Sequence, residues 1–168
     1  QAWSRCLAPD SDETADNARH NARGDETPTV NGHGSMTALT QSVTRALIER
    51  RAGELLMLHA GAVCHPQTGR SAAYIAPGGT GKTTLTRLLG QDYGYLTDET
   101  VGIDPGTWRI RPYEKPLSLR TGDGGYPKSE HGPDGLGLRR PHPEPTLSTL
   151  MVIRRSDDHA ATASFTQP

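Results

Sequence analysis

The chain has 168 residues, of which 33% are hydrophobic and 5% aromatic, enough for one modest core rather than several domains. Eighteen basic residues stand against nineteen acidic ones, so no overall field recommends nucleic acid or an anionic membrane as a partner. Two cysteines make no disulfide framework, no apolar run approaches the ~20 residues that span a bilayer, and a cytoplasmic protein is the default expectation.

Residues 1–35 are rich in Asp, Glu, Asn, Arg, Gly and Thr, and so little apolar surface predicts a disordered polar leader. From Met36 the pattern changes. Leu39, Val43, Ala46 and Leu47 recur at spacings of three and four, which predicts an amphipathic helix ending near Gly53. The run LLMLHAGAV then predicts a strand, and the turn residues His65 to Gly69 separate it from a second strand, Ala72 to Ala76.

The second strand runs into the glycine-rich stretch APGGTGKTT, residues 76–84. After it, Leu85, Leu88 and Leu89 fall on one face of a short helix that stops at Gly90. Tyr93 to Thr97 predicts a further strand that ends at Asp98-Glu99. A hairpin follows, with Val101 to Ile103 and Trp108 to Ile110 flanking Asp104-Pro105-Gly106-Thr107. Residues 120–146, rich in Gly and Pro, are expected to form a long loop, and Leu147 to Arg154 a last strand. The domain so defined runs from 36 to 156, with a polar tail over 157–168. Its fold class is α/β, with a mixed or mostly antiparallel sheet around the glycine-rich loop.

That loop carries the chemistry. The phosphate-binding P-loop reads G-x-x-x-x-G-K-[ST], and residues 76–83 match it at Gly81, Lys82 and Thr83, with Ala76 in place of the first glycine. Gly78, Gly79 and Gly81, with Pro77 and Thr80 between and beside them, allow successive N–H groups to turn inward, and the following helix adds its positive end. Lys82 would reach the β- and γ-phosphates, Thr83 would complete a magnesium shell, and Thr84 stands beside it. The expected cofactors are therefore ATP and Mg2+.

Such a site needs carboxylates, and Asp98-Glu99 at a strand end supplies them as metal ligands, an acidic strand cap being the structural alternative. His59, inside an apolar run, is open to two readings: a buried neutral histidine bonded to backbone, or a catalytic group. Lys115, Arg120, Arg139 and Arg140 are expected to be solvated surface charges, although a phosphate site needs some cations nearby.

The ordered set LHAGAV, APGGTGKTTL and YLTDETVGI resembles the nucleotide-binding core of the HPr kinase/phosphorylase family and its phosphoenolpyruvate-carboxykinase-like relatives, over residues 55–120. The nearer comparison is with short, divergent HPr-kinase-like proteins of bacteria, in which further C-terminal helices would follow. The resemblance implies that Asp98 is the general base, that His59 hydrogen-bonds to it, and that Glu99 replaces a second aspartate. It also implies transfer of the ATP γ-phosphoryl to a protein or peptide hydroxyl. A nucleotide-dependent switch or hydrolase, and a non-catalytic nucleotide-binding module, are the alternatives.

Overall fold

The computed structural model describes Arg5 and residues 36–120 and 128–154. The chain is mixed α/β, and its main sheet is mixed with mostly antiparallel strands. Helix α1 (Met36–Arg50) precedes β1 (Leu56–Cys64) and β2 (Arg70–Ile75), then α2 (Lys82–Leu89), β3 (Gly94–Thr97), β4 (Thr100–Ile103) and β5 (Ile110–Arg111). Strands β6 (Leu117–Arg120) and β7 (Lys128–His131), a 3-10 turn (Asp134–Leu136) and β8 (Thr146–Val152) complete it. No helix among the described residues is long and apolar enough to cross a membrane.

Strand β1 is central because its apolar run is paired along both edges. On one side it forms a hairpin with β2, register Ala62↔Ala73. On the other it pairs in turn with β3 (Ala62↔Thr97) and β4 (Leu58↔Val101), both antiparallel. The pairing order is β5-β4-β1-β2-β8, with β3 also on β1, and among the described strand pairs only β2 and β8 run parallel, apart from an isolated parallel bridge between Gly94 and Arg139.

A bridge between Arg109 and Thr146, flanked by hydrogen bonds from Ile110 N to Pro145 O (2.8 Å) and from Leu147 N to Trp108 O (2.9 Å), draws the start of β8 onto the residues before β5. The sheet thereby curls around its own core. Small side chains line the concave face: Ala60, Ala62, Cys64 and Ala73 pack against Leu96, Val101, Ile103 and Ile110. Bulkier residues on β1 would hold the curled walls apart.

On the other face lies a second core of Tyr95, Leu117 and Leu138, closed by the β6–β7 hairpin and the 3-10 turn. The 120–146 stretch expected to be one long loop thus contains a strand and a turn, because pairing Ser118↔Glu130 and Leu119↔Ser129 organises a sequence with little apolar signal of its own.

Helix α1 forms where the periodicity places it but presents a different face to the body. Thr40 and Thr44 are buried, while Leu47 is 40% exposed. The Thr44 hydroxyl meets Tyr113 OH at 3.0 Å, a bond that seats the helix by its threonine stripe. The predicted polar leader and tail lie outside the described residues except at Arg5. At Arg5 the guanidinium is buried in ion pairs with Glu114 (2.7 Å) and Asp134 (2.6 Å) and donates to Leu138 O.

Candidate functional site

Strands β2 and β3 both run antiparallel to β1, one on each side of it, so they point the same way. The glycine-rich loop leaves the end of β2 and Asp98 leaves the end of β3, and both emerge at the same end of the sheet. In the loop Gly79 has φ +79° and Gly81 φ +105°, conformations that side-chain-bearing residues rarely adopt. They turn the chain from β2 directly into α2, whose first turn receives no side-chain cap. The Lys82 ammonium reaches back across the loop to the carbonyls of Ala76 (2.5 Å) and Pro77 (3.3 Å).

The acidic pair sits where the edge of β1 passes from β3 to β4. Thr97, itself buried, accepts hydrogen bonds from the N–H groups of Glu99 (3.3 Å) and Thr100 (3.4 Å), while Ala60 N donates to Glu99 O (3.1 Å). This local turn breaks the strand and fixes where the two carboxylates leave it.

Asp98 is only 5% exposed, and three side chains converge on it. Thr83 Oγ1 donates to Asp98 Oδ2 at 2.9 Å, which ties the first turn of α2 to the end of β3. Tyr95 OH donates to Asp98 Oδ1 at 3.4 Å and, more closely, to Lys115 O at 3.0 Å. Lys115 Nζ lies 2.8 Å from Asp98 Oδ1 and 3.3 Å from Glu99 Oε2.

Lys115 is the residue that sequence reasoning missed. Expected to be a solvated charge, it is 1% exposed. Burial alone would push its ammonium down, but Asp98 and then Glu99 outweigh that and hold it above the ordinary lysine value. The chain delivers it there because Tyr113 N bonds to Leu96 O (2.9 Å), which lays residues 113–115 alongside β3. The only local signal in sequence is its place before Pro116 and the short apolar strand β6. Arg139 does not join the site; its guanidinium is spent on Gln91 O (2.9 Å).

The buried reading of His59 does not hold, nor does the hydrogen bond to Asp98 that the resemblance implies. His59 is exposed rather than buried, and no hydrogen bond joins its ring to Asp98, whose oxygens are taken by Thr83, Tyr95 and Lys115. It lies on β1 opposite Thr100, one residue from the acidic turn, and lines the same cleft.

That cleft has a volume of about 550 Å3. The loop and helix start, Gly78 to Thr84, line it together with His59, Asp98, Glu99 and Lys115. Pro77 lies on the flank, lining a neighbouring, more apolar cleft that also contains His59. Arg87, Arg120 and Lys128 also line the main cleft, with residues of α1 and β6. Among the described residues five cations therefore line the cleft with two carboxylates, in a protein whose net charge is −1, a local field suited to a polyanion.

Comparisons with protein-family models, with curated proteins and with solved structures return no match. The function of the site is therefore argued from its geometry. Among the described residues no three His, Cys, Asp or Glu side chains gather as a metal-binding group. The oxygens that do gather, from Thr83, Asp98 and Glu99, are hard donors. Magnesium held with a triphosphate draws on only one or two carboxylates, so this donor set fits it.

Proposed function

We propose that the chain binds Mg-ATP through a P-loop at residues 76–84 and transfers the γ-phosphoryl group to a protein or peptide hydroxyl in the cytoplasm, as an HPr-kinase-like phosphotransferase. The observation that carries this is the 2.9 Å hydrogen bond from Thr83 to Asp98. A hydroxyl at the start of the loop's helix and an aspartate at a neighbouring strand end are the two groups that share the magnesium ion in P-loop enzymes. The cation-rich cleft around them supports the same reading.

Each residue then has a task. The N–H groups from Gly78 to Thr84 cradle phosphate oxygens, with Thr80 and Thr84 flanking the turn. Lys82, which already spans the loop, takes the β- and γ-phosphates. Thr83, Asp98 and Glu99 would hold magnesium, which when bound would supply positive charge against the phosphate oxygens. In the transfer, the bond from the γ-phosphorus to the bridging oxygen breaks and ADP leaves. A new bond forms to the acceptor oxygen, whose proton passes to Asp98, with His59 lining the same cleft beside the incoming group.

The second reading, a nucleotide-dependent switch, hydrolase or non-catalytic module, draws on the donors that crowd Asp98. Thr83, Tyr95 and Lys115 already occupy the Asp98 oxygens that would have to meet an acceptor hydroxyl. Incubation with γ-labelled ATP, magnesium and a library of Ser- and Thr-containing peptides separates the readings. Label on peptide is the expected result. Label appearing only as free phosphate removes the kinase, and absence of any Mg-ATP binding removes both.

A further inference from the structure

The acidic pair that would receive a divalent cation already has a monovalent one. Lys115 Nζ is 2.8 Å from Asp98 Oδ1 and 3.3 Å from Glu99 Oε2, and also donates to Pro116 O at 3.1 Å. It contacts both carboxylates, Asp98 being also the partner of Thr83, from a position almost wholly shielded from water but open to the cleft. We propose that Lys115 is a resident counter-cation that keeps bare magnesium off Asp98 and Glu99, and that it yields them only when a triphosphate offers its ammonium other oxygens. This rests on the nucleotide reading above and deepens it by making metal and nucleotide binding mutually dependent.

The argument is electrostatic and steric. Magnesium bound through Asp98 and Glu99 would take the same oxygens as the ammonium, and two cations at contact distance on one pair of carboxylates repel strongly in a site shielded from water. Magnesium also dehydrates reluctantly, so alone it gains little by displacing a well-placed lysine. A triphosphate reverses the balance. It adds several anionic oxygens to the same cleft, and Lys115, on a flexible four-carbon stem, can exchange carboxylate for phosphate. Glu99 is the hinge of this exchange: its side chain is 34% exposed and holds Lys115 at the longer distance, so that contact breaks first.

The arrangement assigns Lys115 a positioning role distinct from that of Lys82, whose ammonium is bonded to loop carbonyls and touches neither carboxylate. Lys82 would contribute to phosphate affinity whether or not magnesium is present. Lys115 would set how much magnesium is needed.

The test uses the full chain and Lys115→Met, titrated by calorimetry with MgCl2 alone and then with ATP at fixed magnesium. The parent protein is expected to show negligible response to millimolar MgCl2 alone and to bind ATP in a magnesium-dependent manner. Lys115→Met is expected to bind MgCl2 alone at least 10-fold more tightly than the parent and to bind Mg-ATP at least 10-fold more weakly. If Lys115→Met unfolds without metal, restoration of its circular dichroism by MgCl2 but not by NaCl of equal ionic strength gives the same answer. Lys115→Arg keeps the charge in a fork that grips carboxylates more firmly, and should raise the magnesium needed for half-maximal ATP binding several-fold. Equal magnesium affinity in the parent and both variants, with Mg-ATP still bound by the parent, overturns the role of Lys115 and leaves the nucleotide site standing. Failure of the parent to bind Mg-ATP, while Lys115→Met still gains magnesium, overturns the nucleotide reading instead.

Discussion

Replacing Asp98 with Asn tests whether the buried ion pair holds the two halves of the site together. The substitution keeps the side-chain shape and an oxygen for Thr83 but removes the charge 2.8 Å from the Lys115 ammonium. Both partners are buried, at 5% and 1% exposure, so the lost attraction is not replaced by water. Breaking a buried pair by removing one partner costs about 3–5 kcal/mol. Here Glu99 remains 3.3 Å from the ammonium, which places the expected cost near the lower bound, about 3 kcal/mol. In urea, with a slope of about 2 kcal/mol per molar, the midpoint should fall by about 1.5 M with the slope unchanged. Glu99→Gln, whose side chain is a third exposed, should cost less than about 1 kcal/mol. An Asp98→Asn midpoint within about 0.25 M of the parent, an energy of about 0.5 kcal/mol, or an equal cost for Glu99→Gln, would refute the claim that Asp98 and Lys115 form the structural centre of the site.

Lys82→Ala should leave the stability measured in urea within about 0.5 kcal/mol of the parent, because its ammonium contacts only loop carbonyls, and should abolish the rise in melting temperature produced by Mg-ATP; a retained rise counts against the loop as the phosphate site. Gly61→Ala should cost about 1–3 kcal/mol in the same urea assay, since a Cβ there would fall into the Tyr74 ring and 2.8 Å from Thr86 Oγ1, and a neutral result would mean that α2 sits further from β1. Burial raises the Glu114 carboxyl above its ordinary 4.5, against the opposing pull of Arg5. Its contribution to stability is therefore full below about 4.5 and is lost as pH rises through the higher folded value. The stability of the parent relative to Glu114→Gln should accordingly decline from pH 4 to pH 7, and a difference that grows over that range would reverse the sign.

The sequence makes the framework legible because its signals are local. The β1–β2 hairpin, the glycine-rich turn into α2 and the β4–β5 hairpin each depend on residues within a few positions of one another: apolar runs, Gly79 and Gly81, and Asp104, whose carboxylate accepts from the N–H groups of Gly106 and Thr107. What escapes the sequence depends on distant partners. Lys115 reads as surface until Tyr113 pairs with Leu96 and carries it beneath Asp98. Thr40 and Thr44 read as the solvent face of α1, yet they face the body because Tyr113 offers Thr44 a hydroxyl partner. Strand β7 has no alternation to reveal it and exists through its pairing with β6. His59 lies in an apolar run that leaves burial and catalysis both open, and it is exposed because it belongs to the half of β1 that pairs with β4 and lines the cleft.

Why the site forms at this end of the sheet follows from the pairing of β1. A strand that keeps one partner along its whole edge leaves no gap for side chains to leave the sheet. Strand β1 instead changes partner from β3 to β4, and the change falls between His59↔Thr100 and Ala62↔Thr97. Two residues, Asp98 and Glu99, bridge that interval, released from regular pairing by the Thr97 hydroxyl that takes up the N–H groups of Glu99 and Thr100. Across β1, Gly61 carries no side chain, so Tyr74 and Thr86 close in and α2 packs low over the strand. That close approach brings Thr83, three residues before Thr86 and thus nearly one helical turn away, over the interval where Asp98 emerges. The partner change of β1 and the missing side chain of Gly61 are therefore two parts of one arrangement. A larger residue at 61 should weaken not only stability but the Thr83–Asp98 contact itself. Mg-ATP affinity in Gly61→Ala should then fall by more than the loss of folded protein accounts for, and an affinity unchanged in the folded fraction would separate the two.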